Sequence, residues 1–420
     1  MARLPLEGIR VIDLGIAWAG PHCTQVLADM GAETIRIENP RRPDTRGPAK
    51  PPPGAASRMY PNKEPGERPW NRNAMFNERH RNKYSLTLDL SHVKGKEVFK
   101  ELTKISDVVV ENFAATVMNN LGLGYPVLRE LNPKIVMISM SGHGATGPES
   151  EYRSYGSTLE MLSGSAMLTG YPDSPPLHSG NYYPDPAAGM LAAGLVVAAL
   201  QHRRQTGQGL FIDLSQRELG THLIGDAFMD YSMNKRLPPR IGNRHPSMAP
   251  HGCYRCKGED MWIAISVGSD SEWRALCDIM GKPELAEDER FGDIVSRYNN
   301  QGEVDGIIEA WTVEQDHYEA MRVLQDAGIA AGAVLTAPEL LADPHLNQRG
   351  FFEVVTHPEA GTFPLRGMIF NLSKTPGSIR KPAPCLGEHN EYVLGQLLGM
   401  SKEEISRLAE EEVITMVPLD

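Results

Sequence analysis

The feature that most constrains the fold is an alternation of short apolar runs with amphipathic stretches in the first half of the chain. The runs at 9–14, 34–38 and 107–111 are nearly continuous in β-branched and aliphatic residues. Strands that are apolar on both faces are typical of parallel sheets covered by helices on both sides. Residues 94–105 instead repeat apolar side chains at helical spacing. This pattern predicts an α/β doubly wound domain with a parallel sheet.

Prolines and further patterns divide the rest of the chain. Nine prolines within residues 40–82 predict a long irregular loop, because proline interrupts helices and central strands. The apolar run 190–200 is too short to span a bilayer and predicts a buried helix. Residues 255–330, with one strand and two short helices, are typical of a smaller α+β unit. The other predicted elements are strands over 85–89, 134–139, 261–266, 333–335 and 351–355, and helices over 21–30, 185–204, 215–234 and 403–411.

Length, charge and cysteine content exclude several classes of protein. The 420 residues exceed the ~250–300 of a single core, so we expect two domains. A net charge of −11 disfavours nucleic-acid binding, which needs a basic face. The first residues lead into a strand without the apolar segment of an export signal, and five cysteines are too few for a disulfide framework. We therefore expect a cytoplasmic protein that does not contact a membrane.

Metal chemistry is not indicated by the sequence. Cys253 and Cys256 have CxxC spacing, but a zinc site would need a second pair nearby. The thirteen histidines form no HExxH or HxH pattern. We expect no metal site.

A glycine-bounded loop, 15–20, follows the first predicted strand and leads into a helix. Ala17 stands where a dinucleotide-binding GxGxxG motif needs its second glycine. Pro21 and His22 stand where a phosphate-binding loop needs Lys and Ser or Thr. Because amides at a helix N-terminus favour an anion, ligand contact and a simple tight connection are equally supported.

Two polar features could serve either structure or chemistry. Residues 79–83 (RHRNK) form the densest basic cluster, which predicts either a solvated charge run, the commoner case, or a recess for phosphates. Asp185 lies between Pro184 and Pro186 at the start of the predicted long helix. A helix N-terminus stabilises an ionised carboxylate, and this pattern alone favours capping over catalysis.

Several strings occur in a fixed order along nearly the whole chain. The first are 5–14 (PLEGIRVIDL), 19–21 (AGP), 27–33 (LADMGAE), 82–90 (NKYSLTLDL) and 110–113 (VENF). The others are 121–125 (LGLGY), 131–133 (LNP), 141–148 (SGHGATGP), 205–209 (QTGQG) and 386–389 (LGEH). None is decisive alone, but together they resemble the class III CoA-transferases, the formyl-CoA and carnitine CoA-transferase type.

The resemblance implies a fold, an assembly and a nucleophile. The expected fold is α/β, with a Rossmann-like large domain from residues 1–224 and 331–420, a small α+β domain from 225–330, and an interlocked dimer. Asp185 matches the family's nucleophilic aspartate, in the setting Asp-x-x-x-Gly followed by a long apolar helix and Thr-Gly-x-Gly. Covalent catalysis would then pass through an aspartyl anhydride and an aspartyl-CoA thioester. Coenzyme A would be a substrate, with no permanently bound cofactor.

The resemblance also implies contacts to coenzyme A. The matching positions are Ala19, Asp89, Leu90, Asn112, Phe113, Arg153 and Tyr155. Asn39 and Asn120 stand where well-known members carry nucleotide-binding arginines, and Arg72, Arg79 or Arg81 are candidate replacements. Trp18 replaces a glutamine that lies beside the nucleophile in the formyl-CoA enzymes. Residues 244–250 replace the glycine-rich lid of those enzymes, so formyl or oxalate transfer is not expected.

Two alternatives within the superfamily remain. An α-methylacyl-CoA racemase needs a His beside an Asp, but residues 154–156 read Ser-Tyr-Gly there. A non-catalytic subunit of a heteromeric transferase need not carry Asp185, so its presence favours an active chain, either in a homodimer or paired with a related chain.

The identity of the acids depends on the side chains near the nucleophile. Trp18, Tyr155, Tyr182 and Tyr183 could line an aromatic pocket beside Asp185. This predicts a bulky or aromatic acceptor, such as benzylsuccinate, with succinyl-CoA as donor. That these rings are core or dimer contacts is an equally supported interpretation.

Overall fold

The computed structural model describes residues 3–42, 44–51, 54 and 58–419 and divides the chain into two compact units. The large unit comprises Met1–Ser165, His178–Met229 and His345–Asp420. The small unit comprises Ala166–Leu177 and Asp230–Pro344. Both ends of the chain therefore belong to the large unit.

The described strands and helices follow the order below. The strands are β1 (Arg10–Asp13), β2 (Glu33–Glu38), β3 (Lys83–Thr87), β4 (Val108–Glu111), β5 (Val136–Ser139), β6 (Phe211–Asp213), β7 (His251–Arg255), β8 (Trp262–Ser266), β9 (Ala330–Ala333), β10 (Phe352–His357) and β11 (Gly361–Arg366). The helices to residue 234 are α1 (Ala19–Asp29), α2 (Pro69–Arg72), α3 (Ala74–Arg79), α4 (Val93–Lys104), α5 (Val117–Asn120), α6 (Tyr125–Leu131), α7 (Gly156–Leu162), α8 (Ser165–Leu168), α9 (Pro184–Thr206), α10 (Gln216–His222) and α11 (Gly225–Asn234). The later helices are α12 (Asp270–Ile279), α13 (Ile294–Asn299), α14 (Gln301–Thr312), α15 (His317–Asp326), α16 (Ala337–Ala342), α17 (Pro344–Gln348) and α18 (Lys402–Glu410), with a π-helix at Tyr392–Leu397.

The large unit is built on a six-stranded parallel sheet with the order β3-β2-β1-β4-β5-β6. This order is that of a doubly wound Rossmann-type sheet, so the predicted fold class is confirmed. From β1 to β3 successive strands are added towards one edge of the sheet, and from β4 to β6 towards the other, so the strand order switches between β1 and β4. Ligands of such folds bind at the carboxyl ends of the strands beside this reversal.

Apolar side chains cover both faces of the sheet. On one face, Ile12 and Leu86 pack with α4, the π-helix and α18. On the other, Val11 and Val110 pack with α1 and α9. A strand with apolar residues at successive positions is buried on both sides by this arrangement, which explains the continuous runs in the sequence.

The small unit has a separate core. Its antiparallel sheet has the order β7-β8-β9, and Trp273, Phe291 and Ile263 are fully buried in its apolar cluster. Four helices, α12 to α15, lie between β8 and β9, where the sequence predicted two. The last strand lies at Ala330–Ala333 instead of the predicted 333–335, and it pairs with β8.

Two other expectations about local structure were wrong. Within 40–82, the described part contains α2, α3 and 3-10 turns at Asp44–Arg46 and Pro61–Lys63. Its prolines include Pro61 and Pro69, which occupy the first turns of helices, where the missing N–H group is not needed. The run 190–200 is only partly buried, because Met190, Leu191 and Val197 are exposed on α9.

Among the described residues, no helix combines the length and apolarity needed to cross a membrane. The interlocked dimer implied by the family resemblance stays a prediction.

Candidate active site

The loop between β1 and α1 is held by hydrogen bonds from several directions. The Gly15 amide donates to Asp13 Oδ1 at 2.8 Å. The Ile16 amide donates to Asn112 Oδ1 at 2.7 Å, and Asn112 Nδ2 returns a bond to the Ile16 carbonyl at 3.0 Å. The Ala17 amide donates to both oxygens of Asp44, at 3.2 and 3.3 Å. Ala17 itself has a left-handed φ of 55°, which such a bonding pattern must stabilise.

A buried charge cluster lies beneath this loop. Lys83 Nζ donates to Asp13 Oδ2 at 2.9 Å, and Arg36 Nη1 lies 3.5 Å from Asp13 Oδ1. Burial disfavours the ionised form of Asp13, but Lys83 and Arg36 lower its pKa. Burial lowers the pKa of Lys83 to about 8, although Asp13 opposes this shift. Arg36 also donates to the Gly15 carbonyl and, at 3.2 Å, to Asp44, so the cluster supports the loop.

The basic cluster 79–83 is neither a solvated charge run nor a free recess for phosphates. Lys83 and Arg81 are buried, and Arg81 pairs with Asp29 at 2.7 Å. Their partners lie far away in the sequence, so the local pattern could not reveal them. Arg81 and Lys83 are therefore engaged in internal ion pairs. Arg72 donates to the Glu359 carbonyl. Of the three candidate arginines, Arg79 is the one whose charge lowers the pKa of Asp185.

Asp185 is in the first turn of α9, with its amide bonded to the Tyr182 carbonyl at 3.0 Å. Its side chain caps no helix, and no described residue donates a hydrogen bond to its carboxylate. Burial raises its pKa to about 6, and Arg79 opposes that shift. A carboxylate that is partly desolvated and lacks hydrogen-bond donors is a stronger nucleophile than a solvated one, and such groups are typical of functional sites.

Two glycines make room around Asp185. A Cβ atom at Gly156 would lie 2.6 Å from Tyr182 Cβ and 3.1 Å from Asp185 Oδ1. A Cβ atom at Gly189 would lie 2.7 Å from the Ala19 carbonyl oxygen and 2.9 Å from His22 Cβ. Gly189 is one helical turn after Asp185, so the close approach of α1 and α9 brings the α1 N-terminus beside the first turn of α9. This is a physical reason for the Asp-x-x-x-Gly pattern.

Arg79 and Trp18 form a second feature that sequence analysis did not find. The Arg79 guanidinium lies over the Trp18 ring, 4.5 Å from its centroid, and Nη1 donates to the Ala17 carbonyl at 2.7 Å. Trp18 Nε1 and Arg79 Nε are buried without a hydrogen-bond acceptor among the described residues. The two residues are 61 positions apart, and no local signal joins them.

A cleft of about 690 Å³ opens at the carboxyl ends of the strands. Its lining includes the apolar side chains of Leu14 and Leu88 and the exposed Arg42, whereas Arg36 is paired with Asp13 and Asp44. The remaining lining residues are Ile16, Ile37, Glu38, Asn39, Asp44, Gly47, Pro48, Leu90, Ser91, Phe113, Val117 and Leu121. An apolar cleft with a few convergent polar groups beside the topological switch point is the expected form of a ligand site.

The structure gathers only some of the predicted coenzyme A contacts at this cleft. Leu90 and Phe113 line it, whereas the Asn112 side chain is engaged by the Ile16 backbone. The Phe113 amide donates to the buried carboxylate of Glu111 at 2.7 Å. Burial raises the pKa of Glu111 to about 7. This amide therefore has a partner within the protein, and a ligand would have to compete for it.

The other predicted contacts lie outside the lining of this cleft. Asp89 accepts hydrogen bonds from Ser91, at 2.8 Å from its amide and 2.6 Å from its hydroxyl. Arg153 is exposed, and it donates to none of the described residues. Ala19 begins α1, and Tyr155 precedes α7 with 79% of its surface exposed.

The predicted aromatic residues are mostly exposed. Tyr182 is 39% exposed and Tyr183 57% exposed, and Pro184 separates them from Asp185. Trp18 is half-buried under Arg79. None of the four predicted rings lines the cleft at the carboxyl ends of the strands.

Metal-ligating side chains do not gather elsewhere in the part of the chain that the structure describes. No group of three His, Cys, Asp or Glu residues has a geometry suited to a metal ion. All five cysteines are free thiols.

Comparison with known proteins agrees with this geometry. The family model of CoA-transferase family III matches residues 6–390. The chain is 34% identical over 411 residues to succinyl-CoA–D-citramalate CoA-transferase of Chloroflexus aurantiacus, covering 98% of both proteins. It is 33% identical over 395 residues to succinate–glutarate CoA-transferase of Agrobacterium fabrum, covering 94% of this chain and 96% of the relative.

A solved structure extends the comparison to the fold. The crystal structure of a CAIB/BAIF family protein from Brucella suis matches with a TM-score of 0.83 at 29% identity. The match covers 94% of this chain and all of the other. Because the family model matches residues 6–390 and the fold matches a member of the family, this chain belongs to CoA-transferase family III and is a class III CoA-transferase.

Proposed function

We propose that this enzyme transfers coenzyme A from succinyl-CoA to a small dicarboxylic acid, with Asp185 as the covalent nucleophile. The observation that carries the proposal is the Asp185 carboxylate, which is desolvated enough to raise its pKa to about 6 and has no hydrogen-bond donor among the described residues. At neutral pH most of it is ionised, so it can attack without a separate base.

The proposed reaction needs no oxidant and no co-substrate besides the donor acyl-CoA and the acceptor acid. Asp185 Oδ attacks the donor thioester carbonyl, the C–S bond breaks, and an aspartyl anhydride and CoA thiolate form. The thiolate attacks the aspartyl carbonyl of the anhydride and releases the donor acid as a carboxylate. The acceptor carboxylate then attacks the aspartyl-CoA thioester, and the thiolate returns to the new anhydride to release the product acyl-CoA and free Asp185.

Each step creates an oxyanion that needs a hydrogen-bond donor. The first amides of a helix have no partner within it, and the described residues offer no acceptor to the amides of Ala19 and Gly20. The glycine contact at Gly189 brings this end of α1 beside the first turn of α9. Ala19 is therefore proposed to act as an oxyanion donor, with the positive end of the α1 dipole adding to the effect.

The cleft is proposed to hold the nucleotide part of coenzyme A. Leu90 and Phe113 provide apolar contact there, and Arg42 lies at its edge with an exposed side chain. Arg42 therefore replaces the nucleotide-binding arginine that is missing at Asn39, three residues earlier. Ile16 lines the same cleft and lies two residues from Trp18, so a pantetheine arm could follow the loop 16–18 towards α9.

The choice of acids follows the relatives and the local charge. The names of both compared transferases pair succinyl-CoA or succinate with another dicarboxylic acid. Arg79 places a positive charge near Asp185, which suits a second carboxylate better than a neutral aromatic ring. The bulky aromatic acceptor predicted from the tyrosines has no comparable support and is kept as one arm of the assay.

An acid panel tests the proposal. Purified enzyme with succinyl-CoA is offered glutarate, citramalate, malate, benzylsuccinate, butyrate and formate, and new thioesters are separated by chromatography. Transfer to one or more of the first three, lost in Asp185→Ala, is the expected result. Transfer only to benzylsuccinate would overturn the small-acid proposal, and transfer that persists in Asp185→Ala would overturn the nucleophile.

Racemisation is the alternative reaction of the same superfamily. The residues at the two-base position, Ser154, Tyr155 and Gly156, include no acid–base pair. Incubation of 2-methylacyl-CoA with the enzyme in D₂O measures racemisation directly. Deuterium incorporation at the α-carbon without CoA transfer would overturn the proposed function in favour of a racemase.

A further inference from the structure

Arg79 is a cation whose hydrogen-bonding capacity is mostly unused. Of its three guanidinium nitrogens, Nη1 donates to the Ala17 carbonyl, Nε is buried without an acceptor, and Nη2 donates to none of the described residues. Its side chain is 11% exposed, and Nε is shielded from water as well as lacking an acceptor. A buried donor without an acceptor costs ~1–3 kcal/mol, and more for a charged group. Such a group points to a missing anionic partner.

The nearby carboxylates do not supply that partner. Glu78 Oε2 forms an ion pair with Arg79 Nε at 3.7 Å, which is too long for a hydrogen bond, and its other oxygen accepts from Arg366. Asp44 accepts from Arg36 and from the Ala17 amide. Asp185 is the remaining anion that interacts with Arg79, and it accepts no hydrogen bond from it.

A second donor lies against the same guanidinium. Trp18 Nε1 is also buried without an acceptor, and the Trp18 ring stacks under Arg79 at 4.5 Å. This contact places a cation and an indole N–H side by side. A carboxylate has two oxygens and can accept from both donors.

Covalent catalysis changes the charge balance around this pair. While Asp185 is ionised, it offsets the charge of Arg79. Once Asp185 is acylated it is neutral, and Arg79 loses one of its three nearby anions, leaving Glu78 and Asp44, which both also accept hydrogen bonds from other donors. A second carboxylate on the acyl group would restore the balance at that stage.

We propose that Arg79 and Trp18 form the binding site for the distal carboxylate of a dicarboxylic acyl group held on Asp185. This inference rests on the proposed function and names the residues that select the substrate class. It makes Arg79 a specificity-determining residue whose target is the substrate, in addition to its contact with the Ala17 carbonyl.

The test compares two four-carbon thioesters that differ only at the distal end. Succinyl-CoA ends in a carboxylate and butyryl-CoA in a methyl group. Formation of the CoA thioester of one fixed acceptor is measured for each donor at pH 8, well above the Asp185 pKa of about 6. We expect Arg79→Gln to lower kcat/KM for succinyl-CoA ~10- to 100-fold more than for butyryl-CoA, mostly through KM.

Further variants separate recognition from folding. Trp18→Phe keeps the ring under Arg79 but removes its N–H, so a ~2- to 10-fold loss specific to succinyl-CoA is expected. Arg79→Lys keeps the charge but not the fork, and should recover part of the loss. Arg129→Gln removes an exposed arginine that lies over the Tyr125 ring, 5.9 Å from its centroid, and should change neither substrate.

The outcomes distinguish this inference from the proposed function. An equal loss for both thioesters in Arg79→Gln and Trp18→Phe would overturn the inference, because it is the effect of a displaced loop. Butyryl-CoA turnover could be below detection in the wild type. In that case a higher KM for succinyl-CoA in Arg79→Gln supports the site, and a lower kcat with unchanged KM overturns it. Absence of any Asp185-dependent transfer in the wild type would overturn the proposed function, and the inference with it.

Discussion

Two aspartates of the large unit, Asp13 and Asp185, illustrate two different uses of a desolvated carboxylate. Asp13 is fully buried at the end of β1 and accepts from Lys83, Thr24 and the Gly15 amide. Asp185 is half-buried at the start of α9 and accepts from no described residue. The partners lower the pKa of Asp13, whereas burial raises the pKa of Asp185 to about 6.

The comparison shows that partners, rather than burial, decide what a carboxylate does. A buried ion pair with all its hydrogen bonds made holds its neighbours in place, and here it supports the loop 15–18. A carboxylate left without donors remains free to form a bond with a substrate. The two regions meet through this loop, since the ion pair stabilises the backbone that leads into α1.

The largest expected effect is the loss of activity in Asp185→Asn. Without the nucleophile, CoA transfer should fall by more than ~10⁴-fold, measured by thioester exchange. The fold should persist, because the raised pKa means that the ionised form of Asp185 destabilises the native state. That cost is absent below about pH 4 and fully present above about pH 6.

Thermal unfolding at two pH values completes this prediction. The variant should have a Tm at pH 8 equal to or above that of the wild type, and the difference should shrink towards pH 4. A variant that is markedly less stable at pH 8 would contradict the assignment of Asp185 as an unpartnered group.

The opposite behaviour is expected for Asp13→Asn. This change leaves Lys83 buried without its anion and Arg36 with Asp44 as its remaining carboxylate, so the free energy of unfolding should fall by ~3–5 kcal/mol in urea titration. Asp107→Asn removes a partly exposed ion pair with Arg203 and should cost at most ~1 kcal/mol. Equal costs for the two changes would show that the Asp13 cluster does not stabilise the fold.

Sequence patterns predicted the sheet well, because each strand carries its own signal. The apolar runs that become β1, β2, β4 and β5 lie within two residues of their predicted bounds. The basic cluster was misjudged because burial of Arg81 and Lys83 depends on Asp29 and Asp13, which are 52 and 70 residues away. A local pattern cannot show such partners.

The candidate site was also only partly predictable from the sequence. The position of Asp185 at a helix start follows from Pro184 and the apolar run after it. Its freedom from hydrogen bonds does not, because it depends on what Arg79 and the segment around Gly156 leave open. The apolar faces of α9 were also indistinguishable in the sequence, since exposed Met190 and buried Ala192 belong to the same run.

A smaller effect should separate two glycines of one helix. Gly189→Ala places a methyl group 2.7 Å from the Ala19 carbonyl oxygen, so α1 and α9 must move apart. We expect ~1–3 kcal/mol of destabilisation and reduced transfer. Gly194→Ala meets nothing within 4 Å and should stabilise α9 by ~0.5–1 kcal/mol with unchanged activity. Similar behaviour of the two variants would mean that the helix contact does not position the nucleophile.

The smallest expected effect is a pH dependence set by Asp185. Log kcat/KM for succinyl-CoA should be flat above about pH 6 and fall by one unit per pH unit below it, because only the ionised carboxylate attacks. Arg79→Gln removes the charge that lowers this pKa, so its acid limb should move to higher pH. A limb near the usual aspartate pKa, unmoved by that variant, would contradict the described environment of Asp185.

The most direct test of Asp185 as the covalent nucleophile is the mass of the intact protein after brief incubation with succinyl-CoA and an acid quench. We expect a succinyl adduct, or after thiolate return a CoA adduct, that hydroxylamine removes and that a peptide map places on Asp185. Asp185→Asn, folded and incubated in the same way, should show none. Transfer activity without any adduct, or an adduct on another residue, would contradict Asp185 as the nucleophile.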